Sequence, residues 1–542
     1  LVGEFFTVNK KLFRISNRGI LYLFNFLFGI TFICAVTFPN LIVGDNLTTG
    51  AGTTIVTTMF LIFVVTIVVA IIVYPKIRHI AWRIFVQHQL LTASLLMGVV
   101  MAWQLLFIIC VHPAIGFDVG AIHLGLIEPQ NSQLQAYFSI NPNNLPLLLI
   151  LHGVAQLLHS TSWLAMDLVT MIVVDLSALL NIISIRIIDR QKTALGIYIH
   201  AIWLSIFPMI IVPYTDTWVL PLVSCYMFCY FSLRFGHLRF RSAYFVAFLL
   251  GLSIAGAYFM KPSAIIPVIA IILIEILYWI QNHTIKLFTF RQLTIQRINH
   301  GIDRILTFRM MIPMIVLLTL GGAYFGGNYY LNNQNYVVVN RQRAIPAIHF
   351  MSMGVSGEGG YNAHDALIMA ELPTKEARVA YSRDMLVSRM KKMGVLGYGK
   401  FLLKKQRNNT ADGTFAWVKE GHFINDGVTH PAHRGFAGSI RQFVYLYGTH
   451  IGDFRFLAQF WWVIWLGMIF FSWRNRQMVV QLFRLAIIGG MLFLLMFEGG
   501  RSRYLIQFLP IFLLMATLVA EESYRLLGGL FKVGFARRQH KA

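Results

Sequence analysis

GTTIVTTMFLIFVVTIVVAIIVYPKIRHIAWR (Gly52–Arg83) decides the fold class. From Gly52 to Tyr74 it carries no charged side chain, and a helix of about 20 such residues crosses the roughly 30 Å hydrocarbon core of a bilayer. The cluster that follows, with Lys76, Arg78 and Arg83, is what the positive-inside rule keeps on the cytoplasmic side. One span and one anchored end are thereby set, and the rest of the chain is read outward from them.

Comparable apolar runs recur near 19–39, 89–111, 144–160, 163–185, 194–213, 217–233, 242–260, 263–282, 310–330, 457–472, 479–497 and 504–522, which makes about thirteen. Hydrophobic residues are 57% of the 542, charged residues 12% and aromatic residues 14%, with a mean hydropathy of +0.66. Such a composition excludes a water-soluble domain and predicts an all-α polytopic membrane protein. The first run is long and continues into further spans, so the chain reads as having no cleavable signal peptide.

A net charge of +23 would suit a nucleic-acid binder, but the basic residues concentrate in short segments between runs. These are PKIRHIAWR (75–83), RFGHLRFR (234–241), KLFTFRQLTIQR (286–297), SWRNRQ (472–477) and FARRQHK (535–541). Anionic lipid headgroups, not nucleic acid, are their expected neighbours. Cys34, Cys110, Cys225 and Cys229 all fall inside apolar runs and read as small hydrophobes, not as a disulfide framework or a zinc site.

The basic segments place 75–83 inside, so the next run emerges outside just before Asp118, and the basic C-terminus likewise places 331–456 outside. Seven runs separate those two outer regions where an even number is required. The short run 144–160 and the segment RIIDRQK (186–192) are the suspects, and a re-entrant piece would repair the count. The organisation expected is two extra spans in 1–88, a core in 89–330 with its first outer loop at 112–143, a polar insert at 331–456, and closing spans with a basic tail in 457–542. Within the insert, Thr374 reads as the cap of a helix that Gly394 ends. LGYGKFLLKKQR (396–407) reads as an amphipathic stretch for a headgroup surface.

Asp118 lies in GFDVGAIH (116–123), which has no Lys or Arg. YFSINPNN (137–144) follows as a polar entry to the next run and offers Asn143 and Asn144 to a ligand. A partly desolvated carboxylate there can take a proton from a sugar hydroxyl, which makes Asp118 the candidate catalytic base. An idle outer-loop acid is the plain alternative, and Glu128 is a weaker competitor.

FPMIIVPYTDTW (207–218) contains a polar island with Tyr214 and Asp216, candidate substrate contacts. A helix N-cap explains Asp216 equally well. Asp167 and Asp175, eight residues apart on one run, share a face and read as partners for buried cations. Lys261, in YFMKPSA, should face outward against the usual charge bias, which suggests a phosphate contact or a side chain snorkelling to the headgroups. EGGRSRYL (498–505) sets Glu498, Arg501, Arg503 and Tyr504 at the mouth of the last run, and arginine forks bind phosphate bidentately. His349, His364, His422, His430 and His433 lack metal-ligand spacing and read as loop histidines. MGVSGEGG (353–360) lacks the context of a nucleotide loop and reads as flexible.

The order of these motifs resembles that of the GT-C superfamily of integral membrane glycosyltransferases, and more closely a Gram-positive branch grouped with the family 39 glycosyltransferases. FDVG, YFSINPNNLPLLL, PYTDT, KPS, HFMSMGVSGEGGYN, DGTFAWVKEGHF (412–423) and EGGRSRYLIQFLP carry the likeness over about 112–510. One departure is the single Asp118 where that superfamily often has two adjacent acids. The resemblance implies a GT-C-like bundle of about thirteen transmembrane helices with a small extracellular domain of helices and loops. It implies a polyprenyl-phosphate-linked sugar donor, used on the outer face of the plasma membrane. A cell-envelope acceptor is expected: a teichoic acid, a polysaccharide or a surface protein. Partners would be membrane lipids, an upstream polyprenyl-phosphate glycosyltransferase and a flippase. Arg501, Arg503 and Lys261 would hold the donor phosphate, with inversion at the anomeric carbon. No cofactor beyond the donor is implied, although a divalent ion at Asp118 would be compatible. A transporter or flippase for a lipid-linked sugar is the reading from a different class, and a scaffold of an envelope-synthesis complex is a third.

Overall fold

The computed structural model describes residues 2–47, 50–283, 300–415 and 434–539. The basic segment 286–297, residues 416–423 of the DGTFAWVKEGHF block, His422, His430, His433 and the last residues of the basic tail lie outside the described residues. Among the described residues every regular element is helical, and ten helices are long and apolar enough to cross a membrane.

Three of the thirteen runs read from sequence are not among these ten. The run at 144–160 folds as Leu145–Leu158, 14 residues closed by His159 in the left-handed conformation; at 1.5 Å per residue it reaches about 21 Å, short of the hydrocarbon core. The run at 194–213 is a 13-residue helix, Thr193–Ser205, that breaks into the short 3-10 turn Pro208–Ile211. The run at 457–472 belongs to Ile451–Phe470, 20 residues whose first turns carry Asp453, Arg455 and Gln459.

The broken segment also settles the direction of its neighbours. The Trp218 indole N–H donates to Thr170 Oγ1 at 3.0 Å, and Ser177 and Ser224 meet at 2.7 Å. Trp163–Ile188 and Leu220–Phe235 therefore run the same way, and Thr193–Tyr214 must carry the chain back between them. With Leu145–Leu158 not crossing, the seven passages between Asp118 and the insert become six, and the parity conflict disappears.

The centre of the bundle is the helix Leu509–Gln539, whose Ile511, Phe512, Leu513, Leu514 and Met515 are fully enclosed. Ile55–Val73 and His300–Asn333 lie at the edge and leave Ile62, Phe63, Leu317, Leu318 and Phe325 exposed. Apolar side chains facing outward from apolar helices suit lipid contact, where association rests on close packing and not on water exclusion.

The insert is less separate than its polarity suggests. Thr374 caps Lys375–Thr410 by accepting from the Ala377 N–H at 3.2 Å, and Gly394 (φ 60°, ψ −179°) kinks it. Beyond the kink Leu396 and Leu403 are still exposed, and it is the end of that half that enters the bundle. Lys405, Gln406, Asn409 and Thr410 are buried, and Gln406 donates to Thr31 Oγ1 at 2.9 Å while Thr410 takes the Trp462 indole N–H on its carbonyl at 2.9 Å. Lys405 donates to the Gly354 carbonyl and Asn409 to the Leu494 carbonyl, bonds that make their burial tolerable.

Among the described residues the basic turns 234–241 and 472–477 lie at one end. There Arg234 meets Glu275 at 3.0 Å, Gln481 reaches Asn17 at 2.7 Å, and Asn475 donates to Glu522 at 2.8 Å. Asp118, Tyr214, Lys261, the glycine-rich 353–360 segment and Glu498–Tyr504 all gather at the other.

Candidate functional site

Gly116 leads into the helix Phe117–Ile127, and Phe117 takes a positive φ of 55° that turns the chain sharply as the helix begins. Asp118 thus lies on the first helical turn, half-buried, and not in a loop. Its two oxygens accept from different tyrosines: Oδ1 from Tyr137 at 2.7 Å and Oδ2 from Tyr214 at 3.0 Å. Asn144 donates to the Tyr137 hydroxyl at 2.6 Å, and Asn143 donates to Asn144 at 3.3 Å. Asn144 is buried and Asn143 is exposed. Burial and the adjacent Asp118 charge push the Tyr137 phenol well above its ordinary pKa. Tyr214 is raised for the same two reasons, with Arg503 opposing. Both tyrosines therefore remain hydroxyl donors through the physiological range.

Asp216 is placed differently. It is 1% exposed, ion-paired with Lys261, and its second oxygen has no hydrogen-bond partner. It does not cap the following helix; Thr217 closes that turn, taking the Tyr214 N–H and donating to the Val212 carbonyl at 2.7 Å. Lys261 is ion-paired with Asp216 and lies over the Tyr504 ring at 5.1 Å. Glu128 is exposed and accepts from the Asn131 amide at 3.1 Å.

The second half of the site is the turn before the last helix. Glu498 accepts from the Tyr504 hydroxyl at 2.6 Å, and Arg503 both donates to that hydroxyl at 3.1 Å and stacks over its ring at 4.8 Å. The turn is fastened from below. Gly500 N–H reaches Asn409 at 2.6 Å, Gly499 N–H reaches the Gly359 carbonyl at 2.9 Å, and Lys405 donates to the carbonyls of Gly354 and Phe497, each at 2.6 Å. The 353–360 segment, expected to be flexible, is tied into this turn, and its glycines have a packing reason: a Cβ on Gly360 would stand 2.7 Å from the Gly499 carbonyl oxygen. Burial pulls the Lys405 ammonium down to about 8, with Glu498 opposing.

The two halves meet through tyrosines. Tyr214 feels Asp118, Arg503, Asp216 and Tyr504. Tyr361, 56% exposed, is raised by burial and by the charges of Asp118 and Glu498, and lowered by Arg501. The structure therefore brings together the acid and the arginines that sequence placed about 380 residues apart. The chain belongs to the family of conserved hypothetical integral membrane proteins, whose model matches residues 12–524. No curated protein and no solved structure matches the chain. Within this family member, the multi-pass membrane architecture is thus seen in both the fold and the family.

Tyr361 and Lys405 escaped the sequence reading. Tyr361 follows glycines that look like a loop, and Lys405 stands in a basic run beside Lys404 with nothing local to distinguish the buried one. Among the described residues no group of three or more His, Cys, Asp or Glu could hold a metal ion. His349 is buried on the helix Ala347–Met353, not in a loop, and burial lowers it to about 4. His364 is exposed on Ala363–Glu371. Asp167 and Asp175 meet no buried cation: both Asp167 oxygens lack a hydrogen-bond partner, and Asp175 faces Gln104.

Proposed function

We propose that this protein is a membrane glycosyltransferase that moves a sugar from a polyprenyl-phosphate carrier to a hydroxyl of a cell-envelope acceptor on the outer face of the plasma membrane. One observation carries the reading: a half-exposed carboxylate accepts from two tyrosine hydroxyls, and the charges of Arg503 and Arg501 act on Tyr214 and Tyr361, the same tyrosines that feel Asp118. The short basic turns at the opposite end support an outward-facing site. The basic residues of the long insert do not weigh against it, because the rule applies to short loops.

In this reaction Asp118 takes the acceptor hydroxyl proton. The acceptor oxygen bonds to the anomeric carbon as the bond from that carbon to the phosphate oxygen breaks, and the electron pair leaves on the phosphate. Arg503 and Arg501 offset that growing charge, an electrostatic contribution that dominates many active sites. Attack opposite the leaving phosphate inverts the anomeric centre. Lys261, neutralised by Asp216, supports Tyr504 and is not itself a phosphate ligand here.

The test uses proteoliposomes with a radiolabelled polyprenyl-phosphate sugar and envelope polymer as acceptor. Asp118→Asn should lower transfer by roughly 10²–10⁴-fold, the usual worth of a general base, while carrier binding is retained. Arg503→Gln should weaken carrier binding. Wild-type transfer by Asp118→Asn would sink the proposal. A second reading, movement of a lipid-linked sugar across the membrane, draws on Asp167, an intramembrane acid without a partner. It predicts that Asp167→Asn stops carrier translocation while Asp118→Asn leaves it unchanged.

A further inference from the structure

An apolar crevice of about 450 Å³ opens beside the bundle and shares no residue with the site around Asp118. Its origin lies in how Ile55–Val73 is attached. Asp453 accepts from the Thr54 N–H at 2.8 Å, the Thr54 hydroxyl at 2.7 Å and the Thr57 hydroxyl at 2.6 Å. Gly452 packs so closely on Gly52 that a Cβ would stand 1.9 Å from its carbonyl oxygen. The helix is fastened at its head, and further along Met59, Ile62 and Phe63 are exposed.

The gap below that latch is walled by Val56 and Phe60 on one side, Trp103 and Phe107 on another, and Phe454 and Leu457 on a third. Leu204–Pro208 closes the back, and the helix Gly435–Val444 roofs it with Phe436, Ile440 and Phe443. Asp453, the charged group in the lining, is already satisfied by the two threonines and by His450 at 3.0 Å. Arg434, exposed, precedes the roof helix by one residue.

We infer that this crevice seats one acyl chain of a membrane phospholipid, with the anionic headgroup beside Arg434. Much of the lining lies on the first turns of Ile55–Val73 and Ile451–Phe470 and on the last turns of Gln89–Cys110, beside the ends of membrane spans, where the available apolar partner is a lipid chain. The slot is walled by aromatic and aliphatic side chains and suits a flexible acyl chain. An exposed arginine above an apolar slot matches an amphiphile with a phosphate at its head. The chain fills the space between Ile55–Val73 and the core, and it presses on Leu204–Pro208, the segment that runs on to Tyr214.

The experiment reconstitutes the full chain in nanodiscs containing phosphatidylglycerol with a diazirine on one acyl chain, then maps crosslinks after irradiation. Labelling is expected to be several-fold richer on Val56–Phe60, Trp103–Phe107 and Phe454–Leu457 than on the edge helix around Leu317–Phe325. Excess unlabelled phosphatidylglycerol should compete the first set away and leave the ratio on the second unchanged beyond simple dilution. Leu457→Trp, which fills the slot, should remove the enrichment. Arg434→Gln should lower it to the level seen with a phosphatidylcholine probe. Even labelling over all exposed helices, or enrichment in the wild type that does not saturate, would overturn the assignment. So would preferential labelling by a photoreactive polyprenyl phosphate, which would give the crevice to the carrier instead.

Discussion

Asp118 and Asp216 influence the same tyrosine, Tyr214, yet they are held in opposite ways. Asp216 is enclosed and balanced by Lys261; Asp118 is half-open and held by two phenols. Identical chemistry in the sequence becomes a brace in one place and an available base in the other. The difference lies in the partner: a cation fixes a carboxylate as an ion pair, whereas hydroxyl donors orient it and leave its charge for a ligand.

Stability measurements are the strongest way to break this contrast. Lys261→Met leaves the buried Asp216 charge alone and should cost about 3–5 kcal/mol, since removing one partner of a buried pair leaves the other uncompensated. Combining it with Asp216→Leu should recover most of that loss. Asp118→Asn should cost no more than about 1.5 kcal/mol, because the amide oxygen still accepts from a tyrosine. Denaturation of the detergent-solubilised protein measures all three. Equal losses for Lys261→Met and Asp118→Asn would erase the distinction between brace and base.

The second half of the site offers a pH-dependent test of the same idea. Lys405 is held by carbonyls, with its pKa lowered from 10.5 to about 8. Between those values the unfolded chain binds a proton that the folded chain has released, so stability rises with pH across that window. Below about 8 both states are protonated and the burial penalty is fully present. The wild type should therefore gain on Lys405→Met as pH rises from 8 to 10.5, by at most about 3.4 kcal/mol at 1.36 kcal/mol per unit. A difference between the two proteins that stays flat across that range would show that Lys405 is not desolvated as described.

Much of the architecture was legible in the chain, because a bilayer imposes one length and one polarity on every crossing. Gly52–Tyr74 could be read that way from composition alone. Where the reading failed, tertiary packing had replaced lipid as the surroundings. Thr193–Ser205 is shorter than a full span because the passage back breaks at Pro208–Ile211, and the end of LGYGKFLLKKQR leaves the surface, where Gln406 and Lys405 find Thr31 and a main-chain carbonyl inside the bundle. The site was half legible. Asp118 and Arg503 stood out as charges at the ends of runs, but the Asp216–Lys261 pair joins two separate turns. No local pattern announces a partner 45 residues away.

The smallest effects sharpen the comparison on the Asp118 side. Asn143, Asn144, Tyr137 and Asp118 form a chain of side-chain hydrogen bonds, 3.3 Å at the exposed Asn143 and 2.6 and 2.7 Å where the buried Asn144 hands on through Tyr137 to Asp118. Tyr137→Phe strips one oxygen of Asp118 and leaves the enclosed Asn144 amide without its acceptor, so transfer should fall about tenfold, which is about 1.4 kcal/mol in the barrier. Asn143→Ala removes only the long, solvent-shared link and should change transfer less than twofold, an effect of about 0.4 kcal/mol. Initial rates with the labelled donor separate the two. If Asn143→Ala matches Tyr137→Phe, the exposed asparagine touches the acceptor directly; if neither changes the rate, Tyr214 alone is sufficient to orient the carboxylate.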